Sequence, residues 1–256
     1  AYRRNALLQK IFSYQLDSRI PIGITQQNGW LVRKTNTALL DSVNKWLNDA
    51  TTKQLEKRLN PLYWEKNLYF AIKKVHIPKG AISPFDDLFK EAARRIDWDW
   101  KLLAAVAYAE SGFDSTVVSW AGARGVMQLM PGTALSFGVD AFDIVNPEKS
   151  IFAGAEYIKS LNMIYRKIED TEERTKFILA SYNSGPAHII DAMALAEKYG
   201  KDKYIWFDNV EFYLEKLDEP EFYNDSVVKY GSFRGTETLR YVPFVLETYS
   251  RYLSRQ

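Results

Sequence analysis

The 256 residues are 46% hydrophobic and 26% charged, a composition that suits one sizeable globular domain and excludes a disordered chain. The 34 basic and 32 acidic side chains leave a formal charge of +2, so no strong field points to nucleic acid or an anionic membrane. Cysteine is absent, which excludes disulfides, zinc–thiolate sites and thiol nucleophiles; histidine occurs only as His76 and His188, which removes a multi-histidine metal cage and argues against a Ser-His-Asp triad. Chemistry is left to carboxylates, hydroxyls and amides, and no cofactor or metal is expected.

The first residue is Ala1, and no charged stretch followed by an apolar core begins the chain, so it reads as a processed product. In the first part Ile20, Ile22 and Ile24 alternate with small or polar residues, Asn28-Gly29 is a hairpin-type turn, and Trp30, Val32 and Lys34 resume the alternation. Thr35 or Asn36 then caps a helix with Leu39, Leu40, Val43, Trp46 and Leu47 on one face. This α/β segment buries too little surface to stand alone. An irregular, aromatic and basic stretch from Asn60 to Ser83 is punctuated by Pro61, Pro78 and Gly80, and a domain boundary is expected near Ile77 to Ser83. The division is 1–76 for the N-terminal segment with its linker and 77–256 for the main domain.

Helical signals are dense beyond that boundary, so the fold class is mainly α with a small α/β N-terminal segment. Ser83-Pro84 predicts a cap and a proline in the first turn of an amphipathic helix ending near Ile96. Asp99 caps a helix from Trp100 to Glu110 that is apolar nearly all round, hence buried, and too short to span a bilayer. Asn146-Pro147 opens another, with Ile151, Ala155, Ile158, Leu161, Tyr165 and Ile168 on one stripe. Asp170 and Glu173 form a capping box for a helix that stops at Asn183-Ser184-Gly185, and a further helix runs from Pro186 to Tyr199. The last helix runs toward Arg255 and either starts or kinks at Pro243.

Glu110 is anomalous. It closes the apolar run Leu102 to Ala109, with Gly112 as stop signal, so the carboxyl meets an apolar neighbourhood and the negative end of a helix dipole. Both raise a carboxyl pKa, the profile of a general acid held protonated near neutral pH; a solvated glutamate at the edge of a core helix has the same local sequence. The stretch Gly122 to Thr133 is too glycine-rich for a helix or strand interior and reads as a loop leading into a helix that Pro131 helps start. Within it Gln128 sets an amide beside the thioether of Met130, which suits sugar hydroxyl and acetamido groups or, alternatively, a packed loop whose glutamine only caps. No phosphate-binding pattern fits these glycines.

Glu110-Ser111-Gly112-Phe113, Gly125 to Pro131, Ala180-Ser181-Tyr182-Asn183-Ser184-Gly185 and Glu237-Thr238-Leu239-Arg240-Tyr241-Val242 stand in order along the chain. Together they resemble the lysozyme-like catalytic domain of the bacterial lytic transglycosylases, over roughly Ser83 to Gln256. The resemblance implies Glu110 as the single catalytic acid/base, with Tyr182 orienting its carboxyl and Asn183 in the same wall. It further implies that Ser119 contacts the reacting sugar, Gln128 and Met130 line the cleft, and Glu237 and Tyr241 close its far side. No convincing second carboxylate accompanies Glu110; Asp114 is four residues on, but Gly112 intervenes. The family needs none, because the substrate's acetamido oxygen and C6 hydroxyl take that part. The implied activity is non-hydrolytic cleavage of the β-1,4 bond between N-acetylmuramic acid and N-acetylglucosamine, leaving 1,6-anhydromuramoyl ends. A lysozyme-type hydrolase and a silent peptidoglycan-binding module are the rivals.

The implied partner is the peptidoglycan glycan strand, with no nucleic acid, and the implied location is the periplasm. Ile20 to Asp49 resembles the closing segment of a solute-binding-type module, carried by an outer-membrane-attached branch of the family; an ordinary extension fits equally. On that branch the attachment runs through a part absent from this chain, and a monomer is expected. Trp120 is the aromatic nearest the motifs for sugar stacking.

Overall fold

The computed structural model describes residues 36–49, 53, 75–119 and 121–254. The chain divides into two units, Ala1–Lys73 and Lys74–Gln256. In the first, helix α1 (Thr37–Asn48) begins as its sequence predicts, with the Asn36 side chain accepting the Leu39 N–H at 3.2 Å. The alternating segment from Ile20 to Lys34, the basic stretch to Lys74 and Trp120 lie outside the described residues.

The second unit is helical. Helix α2 (Asp86–Ile96) starts two residues later than Ser83-Pro84 suggests. The Asp86 carboxylate reaches back to accept the Ile82 and Ser83 N–H groups at 3.0 and 2.7 Å, while Ser83 Oγ accepts from Phe85 N. Pro84 therefore sits in the turn before the helix, not in its first turn. Phe89, Ala92, Ala93 and Ile96, at helical spacing, are its buried face. Helix α3 (Trp100–Ser111) is capped by Asp99, and every residue from Leu102 to Ala107 is buried, as a helix apolar on all sides requires. Left-handed backbone at Gly112 (φ 58°) and Phe113 (φ 70°) ends it.

The loop that follows runs to helix α4 (Pro131–Ser136), which opens on its proline. Helix α5 (Pro147–Ile164) is capped by Asn146 through the Lys149 N–H. Its expected stripe continues past the helix, since Tyr165 ends α5 while it and Ile168 stay in the core at 2% exposure each. Asp170 caps helix α6 (Thr171–Ser184), but the returning arm of the predicted capping box is diverted. The Glu173 carboxylate instead pairs with Lys176 at 2.5 Å and accepts the Trp206 N–H at 2.7 Å. Gly185, at φ 79° and ψ 156°, separates α6 from α7 (Pro186–Lys198).

Two short helices with no distinct sequence signal, α8 (Glu211–Lys216) and α9 (Pro220–Tyr223), lead to α10 (Thr236–Leu253). The last helix does not start at Pro243: it begins seven residues earlier and carries the proline within it, on its exposed side. Helix α3 packs against α2 and α10, and α6 packs against α5, α7 and α10. The last helix thus touches both α3 and α6, and its first turns meet their C-terminal ends.

Candidate active site

Glu110 occupies the last full turn of α3. The residue is half-buried, yet its carboxyl lies deep enough that loss of hydration dominates, raising its pKa from 4.5 to about 8. A weaker push in the same direction comes from the charge of Glu237, in the exposed first turn of α10. The Tyr241 hydroxyl opposes both by donating to Glu110 Oε1 at 2.6 Å, across 131 residues of sequence. One carboxyl oxygen is thereby fixed and the other is left to carry a proton.

The orienting hydrogen bond comes from Tyr241 and not, as the resemblance implied, from Tyr182. The Tyr182 hydroxyl donates 2.8 Å to the Met127 carbonyl. That carbonyl belongs to a buried residue and needs a donor, whereas Glu110 already has one. Tyr182 still borders the acid, whose charge, after burial, helps hold its phenol protonated well above the ordinary range. Tyr182 and Tyr241 are 8% and 9% exposed, rings packed in the core with their edges toward the site.

The glycine-rich loop is held from four sides. Ser111, next to Glu110, donates to the Val126 carbonyl at 2.7 Å; Ser150 Oγ accepts the Met127 N–H; Tyr182 takes the Met127 carbonyl. Gln128, at φ 44°, supplies the fourth hold. Its Nε2 donates to the Val117 and Gly125 carbonyls, both at 3.0 Å. Both amide protons are taken up by the loop, so a sugar would meet only the carbonyl oxygen of Gln128, not the two donors that the sequence suggested. Met130 is 45% exposed beside it. Ser119 accepts the Ala123 N–H at 3.0 Å and keeps its own proton to donate. Asn183 Oδ1 accepts from the Thr238 hydroxyl at 2.9 Å, which ties α6 to α10.

Ser111, Ser150 and Thr238 had no sequence signal as site supports, although Ser111 and Thr238 lie inside the quoted motifs. Asp114 is committed elsewhere: its Oδ1 accepts both the N–H and the hydroxyl of Thr116 at 2.8 and 2.7 Å. Among the described residues no group of three or more His, Asp or Glu is gathered as metal ligands would be.

Residues 87–205 match the Transglycosylase SLT domain. Glu237 and Tyr241 lie beyond the matched residues. Among curated proteins the chain is 34% identical over 249 residues to the membrane-bound lytic murein transglycosylase F of Desulfosudis oleivorans, covering 95% of this chain and 54% of that protein. It is 42% identical over 163 residues to the protein of the same name from Maricaulis maris, covering 62% of this chain and 34% of that one. The chain spans at most about half the length of these relatives. A solved structure, the lytic transglycosylase Slt of Pseudomonas aeruginosa, is 21% identical with a TM-score of 0.47, over 85% of this chain and 34% of that one.

Proposed function

We propose that residues 77–256 are a peptidoglycan lytic transglycosylase unit that cleaves the β-1,4 bond between N-acetylmuramic acid and N-acetylglucosamine without water. The observation that carries this reading is a desolvated carboxyl at the end of α3, its pKa raised to about 8 and one of its oxygens fixed by Tyr241. Protonated Glu110 gives its proton to the glycosidic oxygen as the C1–O bond breaks, and the acetamido carbonyl oxygen of the muramoyl residue bonds to C1. Glu110, now ionised and steadied by Tyr241, takes the proton of the C6 hydroxyl. The C6 oxygen then displaces the acetamido oxygen at C1, which closes the anhydro ring and returns Glu110 to its starting state. Retaining and inverting hydrolases instead set two carboxylates about 5–5.5 Å or 6.5–9.5 Å apart. Asp114 is the nearest acid in sequence, but it is engaged with Thr116.

Ser119, Gln128, Met130 and Asn183 are proposed to line the glycan-binding cleft, with Tyr182, Glu237 and Tyr241 around the acid. A glycan-strand substrate goes with a periplasmic location, and the unit is proposed to act as a monomer. Among the described residues no helix is long and apolar enough to cross a membrane. Outer-membrane attachment is proposed to run through a segment outside this sequence, in line with the relatives' names. The 249-residue alignment reaches into residues 1–76; that segment is proposed as the tail of a solute-binding-type module or an ordinary extension of the family.

Mass spectrometry of muropeptides released from purified peptidoglycan tests the reaction. Anhydromuramoyl ends are expected, and reducing ends, heavier by one water, would make the protein a hydrolase. Activity is expected to be full below the Glu110 pKa and to fall as pH rises through about 8, because the acid must start protonated. Tyr241→Phe removes the interaction that favours the ionised carboxyl, so it is expected to move this alkaline limb upward. It is also expected to lower kcat by about tenfold or more, the size of a hydrogen bond to a charged group. A pH–rate profile of both proteins checks the shift.

A further inference from the structure

Thr238 is 1% exposed, and a hydroxyl so buried needs a partner. Within a helix such a hydroxyl usually turns back to the carbonyl four residues earlier. Thr238 is the third residue of α10, so that position falls before the helix, and its hydroxyl crosses to Asn183 Oδ1 at 2.9 Å instead. Each end of this bond stands beside the acid's surroundings: Asn183 follows Tyr182 directly, and Thr238 precedes Tyr241 by three residues on the same face of α10. Along the rest of α10, Val242, Val245 and other core residues hold the helix close without setting a direction, and the other directional tie, from the Tyr249 hydroxyl to Asp99 Oδ2 at 2.9 Å, is exposed and lies eight residues beyond Tyr241. A 2.6 Å contact from Tyr241 to Glu110 does not survive a slide of one residue, about 1.5 Å along a helix. The hydroxyl–amide bond is directional, and a β-branched side chain has a stiff first torsion.

We propose that Thr238 is a positioning residue: by latching α10 to α6 through Asn183, it sets the register in which Tyr241 reaches the Glu110 carboxyl. The inference rests on the reading of Glu110 as the acid/base. The titratable groups that register at Glu110 are Tyr241 and Glu237 from α10 and Tyr182 from α6. Only the Tyr241 contact depends on a close hydrogen bond, so loss of the latch acts through it.

The test compares wild type with Thr238→Val, which keeps the shape and removes the hydroxyl, and with Thr238→Ser, which keeps the hydroxyl. Carbon-13 NMR of glutamate side-chain carboxyls follows the Glu110 midpoint without any turnover. Kinetics on peptidoglycan fragments and a thermal melt accompany it. Thr238→Val is expected to raise the midpoint toward that of Tyr241→Phe and to lower kcat by about 10- to 100-fold with KM little changed. Thr238→Ser is expected to behave as wild type, and adding Thr238→Val to Tyr241→Phe should move the midpoint no further. A lower melting temperature with the midpoint and kcat unmoved would overturn the proposal, as would a full additional midpoint shift in the double variant. Should Thr238→Val not fold, Thr238→Ala against Thr238→Ser makes the same comparison. Absence of cleavage by the wild type would defeat the functional reading, whereas the NMR midpoints judge the latch either way.

Discussion

Glu110→Gln is expected to abolish release of anhydromuramoyl products, a loss of about 10³-fold or more as for removal of an acid that also serves as base. The same substitution is expected to stabilise the fold at alkaline pH. The native carboxyl binds its proton up to about pH 8, while the unfolded chain releases it near 4.5. Between those values the native state holds the extra proton, so stability falls as pH rises through the window and levels off above it. Glutamine carries no such penalty. The variant's advantage should be near zero at pH 4 and largest above pH 8, with a ceiling of about 4–5 kcal/mol at roughly 1.4 kcal/mol per pKa unit. Thermal melts of both proteins at pH 5, 7 and 9 check it. Melting curves that stay parallel across that range would mean that Glu110 titrates as an ordinary surface carboxylate.

Gly125→Ala is expected to be the most damaging small substitution in the site. Its backbone has φ +79°, and an added Cβ would lie 2.2 Å from the Ile144 carbonyl oxygen and 2.9 Å from Ser150 Oγ. Backbone cannot yield as a flexible side chain does, so the loop must move, and the Ser150 bond to Met127 moves with it. A destabilisation of about 3–5 kcal/mol is expected, in the range of core overpacking plus backbone strain. Gly122→Ala is the comparison: it shares the positive φ, at +95°, but meets nothing within 4 Å. It should cost only the conformational strain, about 1–2 kcal/mol. Denaturant unfolding of both variants separates the two contributions. Equal losses would mean that the close approach to Ile144 is relieved at no cost.

Much of the helical frame was legible because it is written in local chemistry. Asn36, Asp99, Asn146 and Asp170 cap the helices that follow them, since a cap needs only a side-chain oxygen and the next few N–H groups. The burial of α3 on all sides followed from composition alone, and with it the anomaly of Glu110. Where a local signal met a stronger distant partner, it failed. Glu173 left its capping box for the Trp206 N–H, and the apolar stripe of α5 outlasted the helix because Tyr165 and Ile168 are core residues whatever their backbone does. Pro243 read as the start of the last helix or a kink in it, and α10 begins seven residues before it, because packing of Tyr241, Val242 and Val245 on one face offsets a single missing bond on the other.

The site divides along the same line. The sequence by itself determined which groups are available: one carboxyl closing an apolar helix, no thiol, two histidines, and the amide, thioether and phenols of the four motifs. Tertiary structure decided which of them meet. Tyr241 rather than Tyr182 orients Glu110, Gln128 turns both donors into its own loop, and Asn183 faces Thr238. The reason is physical. Capping and apolar periodicity act over a few residues and are visible in the order of the chain, whereas a hydrogen bond between buried groups is settled by which donor reaches which acceptor once α3, α6 and α10 have packed. Desolvation, which sets the pKa of Glu110, likewise comes into being only when that core closes.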